Sequence, residues 1–428
     1  MDTAQQESNL ELVRAVSRWE IVGLAINGVI GSGVYLLPAA AAALLGAASI
    51  WAVVLAGLAV ALLVLCFAEA SSYFDEPGGG YLYAREAFGA FVGFEVGWMT
   101  WLARVASVAS LSAGFALATS YLWPAAAHGW ARALTITLPL VALTWINVAG
   151  VKAGARVAVG LVVTKTLPLV FFVAVGIFFT DWGRVAAFHA PSTGVIGQAA
   201  LLLLFAYAGF ENTPAAAGEF RNPRRDLPFA LLTMILFVTV LYTAVQIVAL
   251  GTLPGLAASK SPLAEAAGGF AGEWGVLILS LGAMISIAGN VSNTTLVGPR
   301  YLFALARDGF GPSIFGRVHP RYRTPAVAIA TQSALALALA LSGSFVGLAM
   351  LSVIARLATY MGTAAAVPIL RRRFGAHPDA VRLPGGLAIP VAALLLTLGL
   401  LASARGENLV AAAVALAIGA LIYRFRRD

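Results

Sequence analysis

The sequence predicts an all-α membrane protein that crosses a bilayer about twelve times. Three observations lead there. Of 428 residues, 60% are hydrophobic and 11% charged, and the mean hydropathy of +0.89 lies well outside the range of soluble globular domains. Apolar segments of about twenty residues, long enough to span hydrocarbon, recur along the whole chain. Two of these segments are interrupted halfway by runs that weaken a helix.

The segments fall near Trp19–Leu45, Ser49–Tyr73, Phe91–Leu122, Trp130–Val148, Val157–Phe179, Val195–Glu219, Pro228–Leu250, Trp274–Leu305, Pro325–Leu341, Phe345–Leu370, Leu387–Ala402 and Leu409–Tyr423. The third and eighth exceed an upright span and should tilt. The last two hold no ionisable residue or internal break and read as scaffold or an oligomer surface. With a cytoplasmic N-terminus, the inner loops hold Arg85, Lys152, Arg156, Arg221, Arg224, Arg225, Arg307, Arg317, Arg321, Arg323, Arg371, Arg372, Arg373 and Arg382. The tails add Arg14, Arg18, Arg424, Arg426 and Arg427, against Arg132, Arg184, Lys260 and Arg405 outside. The positive-inside rule therefore places both termini in the cytoplasm. Short loops and alanine-rich composition suggest a bacterial inner membrane.

The first interruption is Gly28-Val29-Ile30-Gly31-Ser32-Gly33-Val34-Tyr35. Each glycine costs about 1 kcal/mol relative to alanine inside a helix, so the helix should open there. Unwound backbone at membrane depth survives only when buried in protein or lining a watery cavity. The N–H groups opening the second half-helix suit a carboxylate, and the carbonyls ending the first suit an ammonium or cation. An amino acid matches both.

The second interruption, Phe205-Ala206-Tyr207-Ala208-Gly209-Phe210-Glu211-Asn212-Thr213-Pro214, lies five spans later. Gly209 and Pro214 by themselves would explain a kink. Paired breaks at matching places, one with an intramembrane glutamate, point instead to an inverted-repeat transporter with its site at the repeat interface.

Other functions find little support. The histidines His128, His189, His319 and His377 sit in loops or at ends without metal-ligand spacing. Cys66 is the single cysteine, so no intrachain disulfide or thiolate cluster forms. Gly78-Gly79-Gly80 lacks the lysine of a phosphate loop and reads as a flexible turn. The pI near 9.9 reflects scattered loop charges, not a nucleic-acid stripe. The N-terminus, with Asp2, Glu7, Glu11, Arg14 and Arg18, is no cleavable signal. The expectation is neither an enzyme nor a cofactor or metal protein, with a small molecule and the bilayer as partners.

Several pieces resemble the amino acid–polyamine–organocation transporter superfamily. They are Gly-Ser-Gly-Val-Tyr at Gly31–Tyr35, Pro-Gly-Gly-Gly-Tyr at Pro77–Tyr81, and Gly209-Phe210-Glu211-Asn212 leading to Gly218-Glu219-Phe220-Arg221-Asn222-Pro223-Arg224-Arg225. Arg300-Tyr301, Ala306-Arg307-Asp308-Gly309, His319-Pro320 and Thr324-Pro325 follow in the expected order. The resemblance implies a LeuT-type fold in one transmembrane domain over 1–428, with a 5+5 inverted repeat (19–180 and 195–370), discontinuous helices 1 and 6, and two peripheral helices (387–424). By the same resemblance, the backbone around Ile30, Gly31, Ser32 and Gly33 holds the substrate carboxylate. Carbonyls near Val29, Phe205, Ala208 and Gly209 hold its amino group, and Phe205 closes over it. The alternative for Phe205 is a plain packing role.

Charges within the spans need a partner, a wet route or a function. Glu20 and Glu69, near cytoplasmic ends, read as snorkelling or pairing. Lys165 lies deep in the fifth segment, where sodium-independent relatives put an ammonium in place of a cation, with Ser286 and Asn290 as candidate partners. A buried lysine can exchange its proton near neutral pH, so Lys165 is a candidate for proton coupling or, alternatively, a permanent strut. Glu211 is either a second protonatable group or an anchor for unwound backbone. Arg104 and Arg356 either face an acidic substrate group or pair with a glutamate of a neighbouring helix. Glu95, nine residues from Arg104 and so on the opposite helix face at about 100° per residue, is excluded as Arg104's partner within that helix. The leading reading is a sodium-independent, proton-coupled amino acid transporter, possible acidic substrates included; an exchanger of neutral or cationic substrates and a non-transporting receptor are the alternatives.

Overall fold

A computed structural model describes residues 16–74, 78–149, 155–187, 193–375, 380–383 and 385–425. Asp2, Glu7, Glu11, Arg14, Pro77, Lys152, His189, His377, Arg426 and Arg427 lie outside them. The described residues form helices and no strand; the sole ladder contact among them is an isolated bridge between Val16 and Phe220. In hydrocarbon a backbone must satisfy its own hydrogen bonds, which selects helices for a chain this apolar.

The helices are α1 (Arg18–Val29), α2 (Ser32–Leu45), α3 (Ser49–Ser71), α4 (Gly79–Phe88), α5 (Ala90–Thr119), α6 (Gly129–Ala149), α7 (Ala155–Gly176), α8 (Trp182–Ala186), α9 (Thr193–Tyr207), α10 (Pro223–Thr252), α11 (Pro262–Arg307), α12 (Ala326–Ser342), α13 (Phe345–Phe374), α14 (Ala388–Ala402) and α15 (Gly406–Arg424). Among the described residues, 8 helical stretches are long and apolar enough to cross a membrane, the first being Ser32–Ser71. Gly194–Tyr207, Ala326–Ser342 and Ala388–Ala402 are shorter apolar helices.

One sequence expectation needs correction, and one expected segment gains a short helix before it. The Gly78-Gly79-Gly80 run is not a free turn, because Gly79 and Gly80 already belong to the buried helix α4, which packs on α5 and α13. Helix α11 joins two helices across a kink at Gly272 (φ 59, ψ −150): the long part after the kink is the segment expected from Trp274, and the short part before it, from Pro262, was not anticipated. Helix α4 is hard to read from hydropathy, since it mixes glycine, tyrosine and charge.

Around the broken pair α1/α2 and α9 stand α3, α5, α7, α10, α11 and α13. The middle helix α5 buries Ala103, Ala106, Ser107, Ala109, Ser110, Ala113 and Gly114, and such small residues let helices approach closely where apolar lipid provides no drive for association. Hydroxyls then join α5 to α13. Thr100 Oγ1 meets Thr359 Oγ1 at 2.5 Å, Ser107 Oγ meets Ser352 Oγ at 2.7 Å, and Ser110 donates to the Phe345 carbonyl at 2.9 Å. At the far edge α15 buries only Gly419, leaving Val410, Val414 and Leu421 more than half exposed for lipid.

Candidate functional site

Helix α1 stops at Val29, Ile30 is extended (φ −69, ψ 105), and α2 restarts at Ser32 with no side chain capping its first turn. Helix α9 stops at Tyr207, and after Gly209 the chain continues as a 3₁₀ helix over Phe210–Glu219. The second break thus opens at Ala208-Gly209, one turn ahead of Pro214. Gly209 has φ 129, a conformation that glycine alone adopts easily, and a Cβ there would strike the Gly28 carbonyl. A Cβ on Gly33 would lie 2.5 Å from the Ala206 Cα. Bare backbone is what lets the two interruptions touch.

Their free carbonyls are shared among neighbours. The Tyr242 hydroxyl of α10 lies 3.3 Å from the Val29 oxygen and 3.2 Å from that of Ala206. Ser286 Oγ donates to the Ile30 carbonyl at 3.3 Å. Lys165 Nζ, wholly buried, donates to Asn290 Oδ1 at 2.7 Å and to the carbonyls of Asn27 and Ile30 at 3.3 Å each. Of its two expected partners, Asn290 binds the ammonium, while Ser286 shares the Ile30 acceptor with it.

Between the breaks lies a small cavity of about 30 Å³, far below the roughly 300–1,000 Å³ of drug-sized sites. Val29, Gly31, Ser32, Gly33, Arg104, Phe205, Ala208 and Gly209 line it, whereas Ile30 does not. Phe205 meets Phe345 edge-on at 6.0 Å. A space of that size holds about one water molecule.

The buried arginines meet at one carboxylate. Arg104 Nη1 lies 3.0 Å from Glu211 Oε1, and Arg356 Nη1 pairs with the same oxygen. Arg356 also donates to Ser107 Oγ at 2.5 Å and Ser352 Oγ at 3.2 Å. Glu211 Oε2 accepts the Gly209 N–H at 2.9 Å, so the carboxylate fixes the unwound turn as well. Elsewhere, Glu20 closes a capping box with Ser17, and Glu69 holds Arg371 Nε and Nη2 at 2.7 Å each. Glu95 sits against Gly419, and its carboxylate has no hydrogen-bond partner among the described residues.

Comparison with known proteins identifies the chain's relatives. The profile described as amino acid permease matches residues 16–428. The chain belongs to the amino acid permease family. It is 29% identical to the methylthioribose transporter of Bacillus subtilis, over 98% of this chain and 94% of the relative. The identity is 29% again to the branched-chain amino acid permease of Bacillus subtilis (96% and 92% covered), and to its serine/threonine exchanger (87% and 86%). Family and relatives are transporters rather than enzymes, and the chain is a multi-pass membrane protein of the amino acid–polyamine–organocation superfamily.

The permease's cavity also recruits Ser107, Leu111, Asn212 and Thr294, which sequence reasoning passed over. A signal was present for some. Arg104, Ser107 and Leu111 follow the i, i+3, i+7 spacing of one helix face, and Asn290 and Thr294 the i, i+4 spacing. Tyr242, within an ordinary apolar helix, gave none.

Proposed function

We propose that this permease carries amino acids across a bacterial inner membrane by alternating access, without sodium and coupled to protons. In this reading about twelve spans form the 5+5 inverted repeat of 19–180 and 195–370, with both termini cytoplasmic and 387–424 peripheral. Two of the three relatives above are named for amino acids, which supports the substrate class. The uncapped start of α2 at Ser32 and Gly33 receives the carboxylate. The ammonium lies near the carbonyls of Val29, Phe205 and Ala208. Tyr242 already engages the first and the Ala208 N–H the second (3.2 Å), but each carbonyl retains a second lone pair. Glu211 anchors the unwound turn, and Phe205 closes the site.

The observation that carries the sodium-independent reading is the Lys165 ammonium, held by Asn290 and the carbonyls of Asn27 and Ile30. Those are the kind of oxygen ligands a monovalent cation would take, and here the lysine ammonium takes them. The experiment is uptake into proteoliposomes under an imposed pH gradient, with sodium absent. Lys165→Ala is expected to abolish gradient-driven accumulation while leaving the protein folded. Unchanged proton dependence in that variant refutes the coupling role. The second reading, amino acid exchange with Lys165 as a fixed strut, is favoured by the same three acceptors; uptake that needs internal amino acid and ignores pH selects it.

A further inference from the structure

The cavity wall carries two guanidiniums, Arg104 and Arg356, and no carboxylate. Behind the wall, both arginines share the single oxygen Glu211 Oε1. One positive charge is therefore left over in this cluster, and Lys165 adds a cation bonded to Asn290, itself a wall residue. The imbalance shows in the hydrogen bonds. Arg356 uses all three nitrogens, on Glu211, Ser107 and Ser352. Arg104, 1% exposed, has the neutral Tyr301 hydroxyl beside it, but its Nε and Nη2 make no close hydrogen bond and meet no second carboxylate among the described residues. Ser32 Oγ and Asn212 Oδ1, also on the wall, are likewise unpartnered.

A buried guanidinium without full compensation is costly in a low-dielectric setting. An anionic group delivered by the transported solute removes that cost each time the site fills. The α-carboxylate is not that group, because it belongs to the start of α2. We infer that the site selects amino acids bearing a second, distal acidic group, of the aspartate and glutamate type, with Arg104 as the specificity-determining contact. The planar Nε/Nη2 edge of a guanidinium matches a carboxylate bidentately. Lysine-like and diamine solutes would bring a further positive charge to this wall and are rejected. This inference rests on the amino acid transport reading.

The test measures competition for uptake of radiolabelled glutamate into proteoliposomes, and ligand-induced rise in melting temperature, with the full chain in potassium gluconate. Glutamate and aspartate are compared with their isosteric amides glutamine and asparagine, and with leucine and lysine. The acids are expected to compete at least tenfold more effectively than the amides. Arg104→Gln should erase that ratio, and Arg104→Lys, which keeps the charge but not the fork, should retain part of it. Amides or leucine that compete as well as the acids overturn the inference while leaving amino acid transport standing. Failure of every amino acid to compete or stabilise overturns both. Amides that bind only when chloride is added assign the missing anion to a free halide and also overturn it. Should Arg104→Gln not fold, the wild-type acid-to-amide ratio and Arg104→Lys still decide.

Discussion

Glu211 accepts two guanidiniums on one oxygen, and on the other a backbone N–H and, at 3.5 Å, the Tyr360 hydroxyl, so a single carboxylate gathers four donors at membrane depth. Removing its charge strands both arginines. Breaking such a buried pair by deleting one partner typically costs about 3–5 kcal/mol. Glu211→Gln is therefore expected to lower the melting temperature sharply. If Glu211 is an anchor, any Glu211→Gln protein that remains folded keeps the wild-type pH profile of uptake; a flattened profile would make it a proton carrier instead. The positions of Glu211, Arg104 and Arg356 were visible in the sequence, but their pairing was not. The partners lie 107 and 145 residues away, and no local pattern chooses among the glutamates available.

At the scale of elements, the decisive contact is between the two interrupted helices. Gly209 lies against the Gly28 carbonyl, and Gly33 against Ala206. Gly209→Ala forces an L side chain into φ 129, a strain of about 1–3 kcal/mol, and also pushes the breaks apart. It is expected to lower thermal stability and to reduce substrate counterflow at least tenfold, whereas Gly399→Ala, whose Cβ meets nothing within 4 Å, should leave both unchanged. Melting curves and counterflow on the two variants check this. The weakness of both helices was legible because glycine and proline act locally. That the second half of the later break is a 3₁₀ helix was not, since a few hydrogen bonds to neighbours settle that choice.

Across the whole molecule, the end of α3 is tied to the end of α13 and to the segment that follows it. Glu69, with no exposed surface, holds Arg371 through both oxygens, accepts the Tyr73 hydroxyl at 2.7 Å and takes the Leu383 N–H at 3.1 Å. Arg371→Ala leaves that carboxylate buried and short of its counter-ion, with an expected loss of roughly 3–5 kcal/mol. Replacing both partners together, Glu69→Gln with Arg371→Met, should be less harmful than Arg371→Ala alone. A thermal double-mutant cycle measures the difference.

Composition and one-dimensional pattern by themselves settled the membrane class, the helical architecture and the two places where helices open, because insertion energy and helix propensity are properties of short stretches. They also singled out Lys165, Glu211, Arg104 and Arg356, since any ion at membrane depth demands a reason. Only the tertiary structure decided which acceptors hold the lysine, that both arginines converge on one glutamate, and that Tyr242 spans the carbonyls of two broken helices. Those outcomes depend on which helices become neighbours, and that is fixed by packing summed over the entire bundle rather than by any stretch within it.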